Sequence, residues 1–367
     1  DAPLFGRDGA IDRLTKAFVR ARAGHGRMVL ISGEAGVGKS RLMQEFATRV
    51  QERALVLAGC GYADAQTMPY QPIVEALRPA LGSQALRLNV QRTWLAEASR
   101  LMPELRDLVP ALPSPQPAEP EQARARLFEA LCQLTLGLAG GSGPVLLCLD
   151  DLHWADGTTL DWLAHLGRKL RGGRLLVLGS FQSEEASAVS GLRHGLARQG
   201  ILSELKLERL DEGAILQLLQ SLGDPVPSDE PSARRLYRAT GGNPFFLLET
   251  LRAFLESEPE MVGRRHLEEL ADLPAADLWD ASGQALPLPA TIRTAVEARV
   301  ERLSAQARQV LEAGAVLGQT FTFDLVQRTA GRGELETVDG LDELVGRQLL
   351  GEGDGEYRFI HQINQAV

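Results

Sequence analysis

At 367 residues, 44% apolar and 24% charged, the chain is long enough to bury a sizeable core in two or three domains. A net charge of −9 argues against a protein whose main task is contact with nucleic acid. The longest apolar runs, such as Val145–Leu149 and Leu175–Leu178, are strand length, far short of the ~20 residues of a membrane span.

Asp1-Ala2-Pro3 leads straight into sequence that reads as folded, so no leader is expected. With no initiator Met and an end at Val367 in a helix-like segment, the stretch is expected to be cut from something larger. Ala10 to Arg22 predicts an amphipathic helix with Ile11, Leu14, Phe18 and Val19 as its apolar stripe.

Met28-Val29-Leu30-Ile31 then runs into Gly33-Glu34-Ala35-Gly36-Val37-Gly38-Lys39-Ser40, followed by the helix-like Arg41-Leu42-Met43-Gln44-Glu45-Phe46-Ala47. This fits G-x-x-x-x-G-K-[ST] between a strand and a helix, the context a phosphate-binding P-loop requires. The glycines let the backbone turn tightly enough to aim N–H groups at phosphate oxygens, and the helix adds its positive N-terminus. Lys39 is expected to reach the β- and γ-phosphates, and Ser40 to ligate Mg2+. Lys39 is one of only four lysines in a chain that draws its surface charge from arginine, which sharpens the match.

Ala54 to Cys60 predicts a second buried strand, and alternating strands and helices predict a doubly wound parallel sheet. From Pro69 to Arg106 the pattern is helical, with Ile73, Leu77, Leu81, Trp94, Leu95, Leu101 and Leu105 as candidate buried positions. The proline-rich stretch from Pro110 to Glu121 reads as an exposed extended loop, and a helix resumes from Gln122 to about Leu138.

Val145-Leu146-Leu147-Cys148-Leu149-Asp150-Asp151 is an apolar strand ending in two acids. Downstream of a P-loop it resembles a Walker B segment, with Asp150 expected to hold Mg2+ through its water shell and Asp151 to face the γ-phosphate, where it orients the attacking water or a metal-bound one. The alternative is two acids capping the helix that begins near Thr158. His153 follows directly and is a candidate phosphate-side contact. Cys60, Cys132 and Cys148 lie far apart in apolar surroundings without metal-ligand spacing, and are expected as reduced core residues of a cytoplasmic protein.

The next strand, Arg174 to Ser180, ends at Phe181-Gln182, so Ser180 or Gln182 is the candidate polar sensor beside the γ-phosphate. After a short strand at Leu205-Lys206-Leu207, a small helical domain is expected from Glu208, with Ile215, Leu218, Leu219 and Leu222 buried. In it Thr240-Gly241-Gly242-Asn243-Pro244 reads as a helix C-cap and restart. Glu256 to Pro289 loses periodicity, as a linker would. Helices at Ala290–Arg302, Ala305–Leu317, Phe323–Thr329 and Leu335–Arg347, then strands near Leu349-Leu350 and Tyr357–Ile360, predict a winged helix. Glu336, Asp339, Asp342 and Glu343 on its supposed recognition helix favour packing and switching over direct DNA contact.

Leu4-Phe5-Gly6-Arg7-Asp8, the P-loop, Leu149-Asp150-Asp151-Leu152-His153-Trp154-Ala155-Asp156, Gly241-Gly242-Asn243-Pro244-Phe245-Phe246 and Leu288-Pro289-Ala290-Thr291-Ile292-Arg293 together resemble the nucleotide-binding region of the STAND ATPases, in particular the large ATP-binding regulators of the LuxR and MalT-like type. The resemblance implies a P-loop NTPase domain with helices on both faces of its sheet (1–207), a helical lid (208–256), a linker (257–289) and a winged helix (290–367). It implies that Phe5, Gly6 and Arg7 line the adenine and ribose, that Pro244 packs on the base, and that His361 touches the β-phosphate. The implied nucleotide-binding set is thus Phe5, Gly6, Arg7, Gly33, Ala35, Gly36, Val37, Gly38, Lys39, Ser40, Arg41, Pro244 and His361, with Lys39, Asp150 and Asp151 catalytic and Ser40 and Asp150 on Mg2+.

Such a protein is a slow ATPase and transcription-regulating switch, shut by ADP, opened by an inducer plus ATP to self-associate, with sensor and effector domains elsewhere. Two departures stand out: Ser180-Phe181-Gln182 where the family has Thr-Tyr-Arg, and a tail after His361 without the expected arginine. The first predicts weak turnover or weak discrimination of ATP from ADP. An AAA+-type ATP-driven remodeller and a nucleotide-binding scaffold without hydrolysis are the competing functions.

Overall fold

A computed structural model describes residues 4–62, 68–84, 90–141, 143–222, 228–256, 297, 300–318, 320–347, 349–353 and 355–359. The chain forms two compact units, Arg7–Leu207 and, together, Asp1–Gly6 with Glu208–Val367.

The first unit is built on five parallel strands, β1 (Arg27–Gly33), β2 (Leu55–Cys60), β3 (Val145–Asp150), β4 (Leu175–Gln182) and β5 (Leu202–Lys206), in the order β2-β3-β4-β1-β5. Helices cover both faces, which is why these strands read as continuous apolar runs instead of alternating ones. Met28, Leu30, Leu147, Leu149, Leu175 and Val177 join one core cluster with Trp162, Ile73 and Leu77, while Val29, Ile31, Leu146, Leu176 and Leu178 are buried outside it. The P-loop strand and the strand ending in Asp150 are separated by β4.

Helix α1 (Asp8–Arg22) buries Ile11, Leu14, Ala17, Phe18 and Ala21. Val19, expected in the stripe, is 57% exposed; one residue beyond Phe18 turns it about 100° away from the sheet, and Ala21, at the i+3 position, takes the buried place. Between β2 and β3 come α3 (Gln71–Gln84), α4 (Arg92–Ala98), α5 (Leu105–Leu108) and α6 (Pro120–Gly141). Ile73, Leu77, Leu81, Leu95 and Leu105 are buried, Trp94 and Leu101 half-buried. Residues 110–119 carry no helix or strand. They are fastened through the buried carboxylate of Glu97, which accepts the Gln116 N–H (3.1 Å) and pairs with Arg100 (2.9 Å). Among the described residues no helix is long and apolar enough to cross a membrane.

In the second unit, α9 (Glu212–Leu222), α10 (Glu230–Thr240) and α11 (Pro244–Glu256) bury Leu210, Ile215, Leu218, Leu219, Leu247 and Leu251 against Phe5. Leu222, expected inside, is 39% exposed on the last turn of α9. Gly241, at φ 59°, ends α10, and the Asn243 side chain accepts the Phe245 N–H (3.0 Å) to start α11. Between them Gly242, at φ 75°, lies against the backbone of Leu210, whose N–H donates to the Gly242 carbonyl at 2.8 Å. The motif is therefore more than a cap and restart, because it also pins the segment leading into α9.

Helices Ala305–Leu317, Phe323–Ala330 and Glu334–Gly346 surround Phe321, Val326, Leu341, Leu344 and Phe359. A strand at Thr320–Thr322, not anticipated, joins Leu350–Gly353 and Glu356–Phe359 in an antiparallel sheet with Glu356–Phe359 in the middle. Of the acids on Glu334–Gly346, Glu336 accepts the Gly333 N–H and pairs with Arg332 (3.2 Å each), and Glu343 accepts from the Ser304 N–H (3.2 Å) and Arg347 (3.0 Å). His361, the linker at 257–289 and the segment Leu288–Arg293 lie outside the described residues.

Candidate functional site

The site lies at the C-terminal ends of β1, β3 and β4. After Gly33 the loop turns through Gly36 (φ 78°) and Gly38 (φ 98°), left-handed conformations that side-chain-bearing residues rarely hold. Helix α2 (Lys39–Val50) starts at Lys39 with Gly38 as N-cap, no side-chain cap and no acid in its first turn. Its first N–H groups thus keep their field for an outside acceptor. Ser40 is exposed there, and Arg41 lies along the helix toward Glu45 (3.9 Å). Ala35 is half-buried and Val37 buried. Arg7 is buried and donates through Nη2 to the Val37 carbonyl at 3.0 Å, so its guanidinium braces the loop from behind.

Lys39 is buried, and its Nζ donates to the carbonyls of Gly33 (3.0 Å) and Glu34 (2.9 Å). Burial pushes its ammonium below the ordinary value, against the opposing pull of Asp151, Glu184, Asp150 and Glu34. Four acids from three segments therefore act on one lysine. Glu34 and Glu184 escaped the sequence reading; Glu34 occupies a free position of the motif, and nothing local marks Glu184.

At the end of β3, Asp150 and Asp151 are joined by Ser180 on neighbouring β4. The Ser180 hydroxyl donates to Asp150 Oδ1 and accepts the Asp151 N–H at 3.0 Å. Of the two sensor candidates, Ser180 is thus the one bonded to the acids, while half-buried Gln182 pairs with Gly33 across the strand edge. Asp151 sits at φ 50°. Its carboxyl is held above the ordinary value first by burial, then by Asp150, with Lys39 pulling it down. The His153 ring is fully buried behind it, Nδ1 3.8 Å from Asp151 Oδ1 and tilted on Trp154 at 5.0 Å. Cys60, at the end of β2, is pushed up to about 12 by burial and then by Asp150, so it stays a thiol.

Neither of the paired acids caps the following helix. Asp156 does, accepting the N–H groups of Thr158 (2.9 Å) and Thr159 (3.0 Å) at the start of α7 (Gly157–Gly167). Its other oxygen accepts the N–H of Tyr70 (3.1 Å), a residue at φ 65°. Asp156→Ala should therefore lower stability by about 2 kcal/mol, the sum of a lost cap and an N–H left without its acceptor, checked by urea denaturation.

The donor set suits a magnesium nucleotide. A buried lysine and an uncapped helix start offer positive potential to phosphates. Among the described residues no group of three or more His, Cys, Asp or Glu makes a metal cage; Mg2+ wants only one or two protein oxygens beside phosphate and water. Phe5, Gly6 and Pro244 belong to the second unit, where Pro244 is the first residue of α11.

An uncharacterized protein of Rhizobium meliloti is 24% identical over 344 residues, covering 89% of this chain but 30% of that protein, so the chain spans less than a third of the relative's length. Among solved structures, the ORC2 protein of Aeropyrum pernix, in its ADPNP–ADP complexes, is similar with a TM-score of 0.60 at 16% identity, covering 100% of this chain and 96% of the other. The Walker-type ATPase of Pyrococcus abyssi is similar with a TM-score of 0.56 at 15% identity, covering 99% and 95%. At such identities the likeness is one of fold, and the fold is that of the P-loop NTPases. Residues 3–178, from the segment before α1 into β4, match the AAA ATPase domain family.

Proposed function

We propose that this chain binds ATP and ADP with Mg2+ at the loop 33–40 and the end of β3, hydrolyses ATP slowly, and uses the exchange as a regulatory switch of the STAND type. The observation that carries this is the arrangement along the C-terminal edge of the sheet, with buried Lys39 following β1 and the Asp150–Ser180–Asp151 network at the ends of β3 and the intervening β4. In the proposal Lys39 and the N–H groups of the loop hold the phosphates, Ser40 and Asp150 hold the metal, and Asp151 accepts a hydrogen bond from the attacking water. The bound metal supplies charge neutralisation at the phosphates. Ser180 keeps the Asp150 carboxylate turned and the Asp151 backbone in place.

Phe5, Gly6, Arg7, Pro244 and His361 remain with this proposal as the family-implied contacts to base and phosphate, and an inducer, self-association and output domains belong to it in the same way. No role in direct DNA contact is proposed. The test is to denature the purified chain, separate the released nucleotides by chromatography, and follow phosphate release after adding ATP. Bound ADP near one equivalent with slow release supports the switch. Fast turnover that rises with protein concentration would favour a remodeller, retained nucleotide with no phosphate release a scaffold, and a protein that holds neither nucleotide would refute the site.

A further inference from the structure

The N-terminal edge of the sheet, opposite the nucleotide site, is lined with arginine. Arg20 and Arg22 lie in the last turn of α1, Arg168 follows α7, Arg171 and Arg174 lie on the turn into β4, and Arg198 ends α8 (Ser190–Arg198); all six are exposed. The backbone draws these segments together. His25, just after α1, bridges to Arg171, whose Nη2 donates to the Gln199 carbonyl at 2.8 Å, and the Met28 N–H donates to the Ile201 carbonyl at 3.1 Å. Each segment is free of acid, since no Asp or Glu occurs in 13–33, 162–183 or 186–203. Among the described residues none of the six arginines makes an ion pair. The exposed Val19, beside Arg20 and one turn before Arg22, adds an apolar side chain to this surface.

Charge is divided unevenly between the two units. Residues 7–207 hold 24 Lys and Arg against 20 Asp and Glu, a balance of +4; with −9 for the whole chain, the other unit carries −13. That acidic unit exposes a helix face of matching chemistry. On Glu334–Gly346, Leu335 is 80% and Val338 39% exposed, and the exposed Asp339 and Asp342 share their face at i+4 and i+7 from Leu335. Among the described residues neither acid has an ion-pair partner. We propose that the arginine-lined edge of the sheet is an interaction surface for the helix Glu334–Gly346 of a second copy of this chain. The proposal rests on the self-association in the proposed function and names the surfaces that would carry it. Because the two surfaces differ, the contact is head to tail, and it closes into a ring or runs on as a filament. Guanidinium groups pair with carboxylates through two parallel hydrogen bonds, and the valine and leucine give such pairs an apolar centre. Nucleic acid is the poorer occupant, because the acidic unit tethered to the same chain repels phosphate.

The experiment is sedimentation velocity of the full chain over a range of concentrations, with ADP and with the non-hydrolysable β,γ-imido analogue of ATP, at about 50 mM and about 500 mM salt. The native chain should associate at low salt with at least one of the nucleotides, and high salt should weaken the association at least about tenfold. Arg22→Glu with Arg198→Glu should weaken it about a hundredfold, as should Asp339→Arg with Asp342→Arg, while each double variant binds ADP like the native chain in isothermal titration. Mixing the two variants should restore association, because each keeps one native surface that fits the other and the two reversed surfaces also fit. An association lost through misfolding would not return on mixing. A native chain that stays monomeric under every condition, or an association that neither double variant weakens, overturns the surface and leaves the nucleotide site standing. A native chain that retards a short DNA duplex in a gel, with the retardation lost in the arginine variant, assigns the surface to nucleic acid and overturns the second copy as its occupant. A native chain that binds neither nucleotide refutes the nucleotide site, and the surface then stands or falls on the mixing result.

Discussion

Asp151→Asn should slow ATP turnover about a thousandfold, leave ADP affinity within a few-fold, and raise the melting temperature at pH 7.5. The loss follows from the proposed task of Asp151: an amide is a far weaker acceptor for the proton of the attacking water than a carboxylate. The gain follows from its surroundings. Burial and Asp150 together hold the Asp151 carboxyl above its ordinary value despite Lys39, so the native state binds this proton more tightly than the unfolded chain does. Above the raised value the charged carboxylate therefore costs stability; below the unfolded carboxylate range, about 3.9, both states are protonated and the cost is gone. The advantage of the Asn variant should be full at neutral pH and fade as the pH drops through that window. Asn also tolerates φ 50° as well as Asp does, so the backbone bond to Ser180 survives. Phosphate-release assays and melting curves at pH 7.5 and pH 4 check both halves. Unchanged turnover would remove Asp151 from the mechanism, and a lower melting temperature at pH 7.5 would show that its attraction to Lys39 outweighs its burial.

Gly242→Ala should destabilise the α9–α11 body by at least about 3 kcal/mol. Two independent costs add at this position. The backbone is left-handed at φ 75°, and an added Cβ would penetrate the Leu210 carbonyl oxygen. That carbonyl cannot withdraw cheaply, because the N–H of the same residue donates to the Gly242 carbonyl at 2.8 Å and the Leu210 side chain is buried in the helical core. The damage should be regional. Hydrogen exchange should quicken through Glu212–Glu256 while β1, β3 and β4 keep their protection, and a uniform loss across both units would contradict this.

Much of this arrangement is legible in the residues, and the exceptions have physical causes. The loop Gly33–Ser40 and the acid pair at the end of β3 announce themselves because phosphate chemistry dictates residue types at fixed spacing. The helix Ala305–Leu317 is found to the residue because Ser304 caps it, accepting the Ala307 N–H at 3.1 Å, and Gly318 follows it. Val19 misled because an apolar residue next to the stripe is indistinguishable from one in it until the helix phase is fixed. The strand Thr320–Thr322 is three residues long, too short to show a period, and exists only through pairing with Glu356–Phe359 far along the chain. Ser180 and Gln182 are equally polar and two residues apart on one strand; which of them meets Asp150 is decided by the neighbouring strand. Glu34 and Glu184 are ordinary charged residues in sequence, and Arg7, marked there only by the family resemblance, is brought by the fold against the carbonyl of Val37.

The position of β4 between β1 and β3 sets a distance. Neighbouring strands lie about 4.8 Å apart, so the loop-bearing strand and the Asp150 strand run nearly 10 Å apart, flanking a third. Adjacent strands would leave room between lysine and carboxylate for a bare ion at most, and the two side chains would neutralise each other directly. With one strand between them, two strand spacings instead leave room for the phosphoryl group and hydrated cation of the proposed function. The intervening strand also supplies a hydroxyl to the acid pair on the far side, so one buried serine ties the ends of two strands together.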